Sequence, residues 1–216
     1  MGLDRAGAPR PLGLDADGHE RLTFLHGDVP ATLTPQLRTP ALLTPAAIPL
    51  RKLHDASATF RPRPDDAWWP PVREPAEAIC HGDAAPCNYV VRNGEAVGLI
   101  DFDAARPGPR VRDVAYAVHR FAPLHGPDNP ESFGRPREQG RRAAAFCRAY
   151  GPGVGAEVVD VVPERLRALI AFMRDRAAHG DEAFQRHLAE DHADAYEADI
   201  RHVRAHRAAL RAAFEE

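Results

Sequence analysis

The run Cys80-His81-Gly82-Asp83-Ala84-Ala85-Pro86-Cys87-Asn88-Tyr89-Val90-Val91-Arg92-Asn93-Gly94-Glu95-Ala96-Val97-Gly98-Leu99-Ile100-Asp101-Phe102-Asp103 decides how the chain is read. Within it, Tyr89 to Val91 and Ala96 to Ile100 are apolar, partly β-branched runs on either side of Asn93-Gly94. That dipeptide suits a two-residue type I′ turn, so the stretch predicts a β-hairpin. Such a turn sets the register: Arg92 opposes Glu95, Val90 opposes Val97, and Asn88 opposes Leu99. Asp101 then lies two residues past Leu99 on the face of Asn88, a diagonal neighbour at roughly 7–8 Å. An amide and a carboxylate side by side at the end of an apolar ribbon suit a hard divalent cation. Mg²⁺ takes a few carboxylate or carbonyl oxygens together with waters and phosphates.

Asp83 precedes Asn88 by five residues and follows His81-Gly82, in a segment where Gly82 permits a tight backbone and Pro86 forbids a regular helix interior. The spacing Asp-x-x-x-x-Asn, then a hairpin, then Asp-Phe, is what phosphoryl transfer requires: a base for the attacking hydroxyl and two metal holders. The segment resembles the aminoglycoside phosphotransferase and choline kinase-like superfamily. In that superfamily the catalytic loop reads His-Gly-Asp-x-x-x-x-Asn and a hydrophobic run ends in Ile-Asp-Phe or Ile-Asp-Trp. Here these are His81, Gly82, Asp83 and Asn88, then Ile100, Asp101 and Phe102, and the resemblance continues through Pro107-Gly108-Pro109 and Asp113-Val114-Ala115.

The resemblance implies an α+β, protein-kinase-like fold: a mainly helical C-lobe over residues 31–216 and a remnant of the N-lobe strands and hinge over 1–30. The C-lobe carries the catalytic loop (81–88) and the metal motif (100–103). It further implies transfer of the γ-phosphate of ATP or GTP, with Mg²⁺, to a hydroxyl of a small molecule. Asp83 would be the catalytic base, Asn88 and Asp101 the metal holders, and His81 and Asp113 braces for the loop. The backbone after Leu25, including Gly27, would hydrogen-bond adenine. Each element alone has a blander reading, since a hairpin ending in Asp is usually only a hairpin; the co-occurrence carries the weight. Asp103 is read as structural.

Composition bounds the alternatives. The 216 residues suffice for one substantial domain, and a net charge of −3 offers no basic field for nucleic acid or an anionic membrane. Cys80, Cys87 and Cys147 form an odd set without framework or zinc spacing. No apolar run nears the roughly 20 residues of a membrane helix, and no basic start leads into an apolar one. A reduced, cytoplasmic protein is expected.

In chain order, Leu12 to Leu25 reads as two strands about an Asp17-Gly18 turn. His26-Gly27-Asp28 repeats the catalytic letters, but Leu33 stands where an Asn would be needed. No glycine-rich loop is apparent, and the only lysine, Lys52, reads as a solvated helix charge, so the N-lobe is expected to be shortened. Pro35, Pro40, Pro45 and Pro49 predict turns and short helical pieces over 31–50. Trp68-Trp69, amid five prolines between Arg61 and Pro75, predicts a loop packed by its indoles. Helices are expected from about Val111, over Arg141 to Tyr150, from Pro163 to Gly180, and over Asp181 to Phe214 with a break near His192. The acidic residues Asp181, Glu182, Glu190, Asp191 and Asp194 read first as a solvated face, and second as an attraction for a cationic acceptor. Two rival functions remain: a degenerate relative that binds ligand without turnover, and a metal hydrolase built on Asp83, Asp101 and Asp103.

Overall fold

The computed structural model describes residues 7–63 and 65–216. The first six residues of the expected N-terminal unit, and Pro64, lie outside the described residues. The architecture is α+β and mostly helical, with three two-stranded antiparallel sheets among the described residues. Strands β1 (Pro11–Leu14) and β2 (Glu20–Leu22) form the expected N-terminal hairpin, exposed along its whole length. The carboxylate of Asp15 accepts the amide protons of Asp17 and His19 across its turn.

Helix α1 (Pro40–Ser57) overturns the expectation of broken pieces over 31–50, since it runs for 18 residues with Pro45 and Pro49 inside. Pro40 begins the helix, where a missing N–H costs nothing, and Thr39 caps it by accepting from the Leu42 amide. Each internal proline costs about 3 kcal/mol. Against this, Leu42, Leu43, Leu50 and Leu53 are all buried, at about 1.5–3 kcal/mol apiece, so burial of one face wins. Lys52 is exposed on the same helix, as expected.

Strand β3 (Ala78–Cys80) pairs with β6 (Arg106–Gly108), while β4 (Tyr89–Arg92) and β5 (Glu95–Leu99) form the central hairpin. Its turn is as expected: Asn93 and Gly94 have φ of 54° and 80°, and Arg92 opposes Glu95. Its register is not. A bulge lies between the two halves, so Val91 pairs with Ala96 but Val90 pairs with Gly98, and Tyr89 opposes Leu99 in place of Asn88. Val97 is the extra residue, and one extra residue moves every later position on its strand by one.

The remaining helices close the core. Helix α2 (Arg110–Phe121) packs on α4 (Val158–Ala178), α3 (Pro136–Tyr150) packs on α1, and α5 (Glu182–Ala189) and α6 (His192–Ala205) pack on α4. Helix α4 begins five residues before the expected start at Pro163, because Val158, Val159 and Val162 bury an apolar first turn and a half beneath it. The C-terminal helix breaks twice: at Asp191, whose φ is 59°, and at His206 before α7 (Arg207–Ala212). Tyr89, Phe121, Phe146 and Tyr150 are among the largest side chains fully inside. No helix of the described residues is long and apolar enough to cross a membrane.

Candidate active site

The loop between β3 and β4 is held by one buried carboxylate. Asp113 lies in the first turn of α2 and is 2% exposed. Its Oδ2 accepts from the His81 amide at 2.7 Å and from His54 Nε2 at 2.9 Å, and its Oδ1 accepts from the Gly82 amide at 2.9 Å. Burial alone would raise its carboxyl. The His54 hydrogen bond, the neighbouring His54 and His81 imidazoles and the Gly82 amide outweigh that and bring it down to about 2. From the other side, Arg165 on α4 donates to the Gly82 carbonyl at 2.6 Å, with its guanidinium over the Tyr116 ring. Gly82 itself has φ +82°, and a Cβ there would sit 2.2 Å from the Ala104 carbonyl oxygen. Only glycine fits.

His81 is fully buried with both ring nitrogens committed to backbone. Its Nε2 donates to the Ile100 carbonyl at 2.9 Å and its Nδ1 accepts from the Asp83 amide at 3.3 Å. It therefore ties the loop to the end of the hairpin. Phe102 packs against the same ring, tilted at 53° with 4.8 Å between centroids.

Asp83 and Asn88 meet directly. The Asn88 amide nitrogen donates to the Asp83 carboxylate at 2.9 Å and to the Asp83 carbonyl at 2.9 Å. With Nδ2 spent in this way, Asn88 presents its Oδ1 as the remaining ligand atom. Ile100 is pinned between Asn88, whose carbonyl accepts its amide proton at 3.0 Å, and His81. Asp101 follows, exposed and in the left-handed region at φ 63°. The expected convergence by strand parity therefore fails, since Asn88 opposes Ile100 and not Leu99; a local left-handed turn, not the pleat, sets the course of Asp101. The Cys87 thiol is pushed up by burial first and then by the charge of Asp83, with a smaller push from Asp101.

The N-terminal segment docks on the hairpin edge. Asp28 and Val91 exchange backbone hydrogen bonds of 2.8 Å, Arg92 donates to the His26 carbonyl, and the Leu99 amide donates to Gly7 at 2.7 Å. Leu25 and Gly27 lie in this segment, against Gly98 and Val90–Val91 respectively. Asp28, the false third letter of the repeated triplet, is exposed and engaged through its backbone. Trp69 packs as expected, with its ring against Phe172 of α4 and Phe184 of α5.

Residues 65–169 match the model of the phosphotransferase enzyme family. This segment belongs to that family. The phosphotransferase segment contains the loop, the hairpin, Asp113 and Arg165, while His54 and the docked segment lie before it. The chain is also 33% identical over 127 residues to the trifolitoxin immunity protein of Rhizobium leguminosarum bv. trifolii, a match that covers 56% of this chain and 47% of that protein. The chain thus spans about half the length of the curated relative it matches. No solved structure matches it.

Sequence reasoning missed His54, Arg165 and Tyr116, which support the loop from α1, α4 and α2. Only His54 carried a signal, as a polar residue within the apolar stripe of Leu50 and Leu53.

Proposed function

We propose that the chain performs, or forms part of an enzyme that performs, Mg²⁺-dependent transfer of a nucleotide γ-phosphate to a hydroxyl of a small molecule, on a protein-kinase-like helical C-lobe. The observation that carries the reading is the Asn88–Asp83 contact at the end of a hairpin whose next residues lead into Asp101. One carboxylate oxygen of Asp83 is oriented by the Asn88 amide, leaving the other to accept the acceptor's hydroxyl proton. Asn88 Oδ1 and the Asp101 carboxylate fit a hard, oxygen-seeking cation: the first has its amide nitrogen committed elsewhere, and the second is exposed and free of protein hydrogen bonds among the described residues. The cation would supply charge neutralisation for the nucleotide phosphates. The chain would supply placement, through a loop fixed by Asp113, His81 and Arg165. Leu25 and Gly27, docked at the hairpin edge, are the proposed backbone contacts for adenine.

The test is nucleotide consumption with ATP and with GTP over a panel of amino-sugars and amino-alcohols. Asp83→Asn should lower turnover by about 10²–10⁴-fold while Mg²⁺-nucleotide binding persists. Unchanged turnover removes Asp83 from the mechanism. A second reading, binding without turnover, is favoured by Lys52, whose exposed place on α1 leaves no lysine near the loop among the described residues. It is also favoured by the relative's name, an immunity protein. Nucleotide or ligand binding with no consumption over the whole panel would select it.

A further inference from the structure

Helix α6 packs along α4 as far as His206, where the chain leaves helical geometry at φ −107°, and α7 beyond it packs mainly on α3. Between α4 and this break lies a hollow of about 210 Å³. Val159 and Pro163 of α4 and Val203 of α6 give it an apolar lining, while Arg167 of α4, Arg204 of α6 and Arg207 of α7 bring guanidiniums to it. Successive helix residues turn by about 100°, so Pro163 and Arg167, each two residues from Arg165, face away from the Gly82 carbonyl that Arg165 holds. The hollow therefore lies on the flank of α4 opposite the catalytic loop.

Its charges are unevenly matched. Asp160, also in the lining, is spent: Arg207 bonds both its oxygens, and Arg211 donates to Oδ2. Glu164, the other carboxylate of the lining, is exposed. No hydrogen bond or ion pair joins the side chains of Arg167, Arg204 or Glu164 to the described residues. Three arginines thus face two carboxylates, one positive charge in excess. Arg167 is half-buried, and its Nη2 is closed to solvent with no hydrogen-bond partner. A guanidinium that has lost water on one side without gaining a protein partner gains more from an anion on its open side.

We propose that this hollow binds a small organic monocarboxylate, its carboxylate between Arg167 and Arg204 and its hydrocarbon part on Val159, Pro163 and Val203. Guanidinium forks match a carboxylate bidentately, and Glu164 at the same hollow opposes a dianion. Size agrees with a ligand of this class. An apolar cavity of about 150 Å³ takes benzene, whereas sites for drug-sized molecules begin at roughly 300 Å³. A carboxylate held by Arg167 and Arg204 links α4 to the end of α6 where the helix breaks. The site is separate from the proposed metal holders and does not rest on the phosphotransferase reading.

The experiment is thermal unfolding of the full chain without nucleotide or divalent cations, with sodium benzoate titrated against sodium chloride at equal ionic strength. At ten times its dissociation constant, benzoate should raise the wild-type Tm by about 3–5 °C over chloride. Neutral benzamide, of nearly the same shape, should give no such rise at the same concentration. Arg167→Gln, which loses no protein hydrogen bond, should melt close to wild type in chloride and lose the response to benzoate. Arg174→Gln, at an exposed arginine of α4 outside the hollow, should keep it. In hydrogen exchange, benzoate should protect the wild-type His206 amide, which donates to the His202 carbonyl at the break. The benzamide comparison and this amide decide the matter should Arg167→Gln fail to fold. The proposal is overturned by a rise that chloride or benzamide reproduces, by a full response in Arg167→Gln, by an equal loss in Arg174→Gln, or by unchanged exchange at His206.

Discussion

Asp113 shows how a single residue positions a site it does not enter. Its two oxygens hold the His81 and Gly82 amides, and through His54 they reach the hydroxyl of Tyr150, 2.7 Å from His54 Nδ1. Helix α1, helix α3 and the loop therefore share one anion. Asp113→Ala leaves three buried donors unpaired, and removal of one partner of such a buried network costs roughly 3–5 kcal/mol. Urea denaturation at neutral pH should report a loss of that size, with the m-value unchanged; a loss below about 1 kcal/mol would show that water replaces the carboxylate freely and that the loop needs no such anchor. This residue was legible only through resemblance to a family. Its location in a helix first turn announces a favourable dipole, and nothing in the local sequence says that its partners lie 31, 32 and 59 residues away.

Between elements, the instructive case is the hairpin. Its existence and its turn were readable because both depend on neighbours in sequence, Asn93-Gly94 and the flanking apolar runs. Its register was not, because the bulge at Val97 depends on what packs across the strand. The one local signal was Gly98, since a lone glycine in a strand often marks a bulge or a close backbone approach, and here it marks both. A second inter-element device is buried between α2 and α6. Asp199 of α6 accepts from His119 Nε2 of α2 at 3.0 Å and from His125 Nδ1 at 2.8 Å, all three being nearly inaccessible. Burial brings His119 down to about 4, although Asp199 works the other way. The unfolded chain therefore takes up a proton near pH 6.5 that the folded one refuses until about pH 4. The His119 contribution is complete above pH 6.5 and declines as the pH falls towards 4, by about 1.4 kcal/mol per pH unit within the window. Asp199, whose own carboxyl is depressed, adds its loss only below the ordinary carboxylate range. Urea midpoints between pH 7 and pH 4.5 should fall more steeply for the wild type than for His119→Gln; parallel slopes would show that His119 is not held neutral.

At the scale of the whole molecule, the helical core and the N-terminal segment stand in different relations to the site. The core builds the loop from α1, α2 and α4 by side chains fully inside it, whereas residues 7–28 meet the hairpin at one edge, mainly through backbone hydrogen bonds with Arg92 and Leu25 adding side-chain contacts. That contact depends on absent side chains. A Cβ at Gly98 would stand 2.6 Å from the Gly7 carbonyl oxygen and 2.7 Å from Leu25 Cδ1, closer than atoms pack without movement, and the obstacle at Gly7 is backbone that cannot rotate aside. Gly98→Ala should therefore push the segment off the hairpin at a cost of about 1–3 kcal/mol, the usual price of overpacking. The helical core makes no use of this contact and should hold. In hydrogen exchange, the Asp28 and Leu99 amides, bonded to Val91 and Gly7 across the junction, should lose protection by about 5–100-fold, while amides of α2 and α4 keep theirs. If Leu25 and Gly27 contact adenine, nucleotide affinity should fall in the same variant without any change in the core. A uniform loss of protection would instead mean that segment and core unfold as one unit, and unaltered exchange at Asp28 and Leu99 would mean that the edge contact yields at no cost.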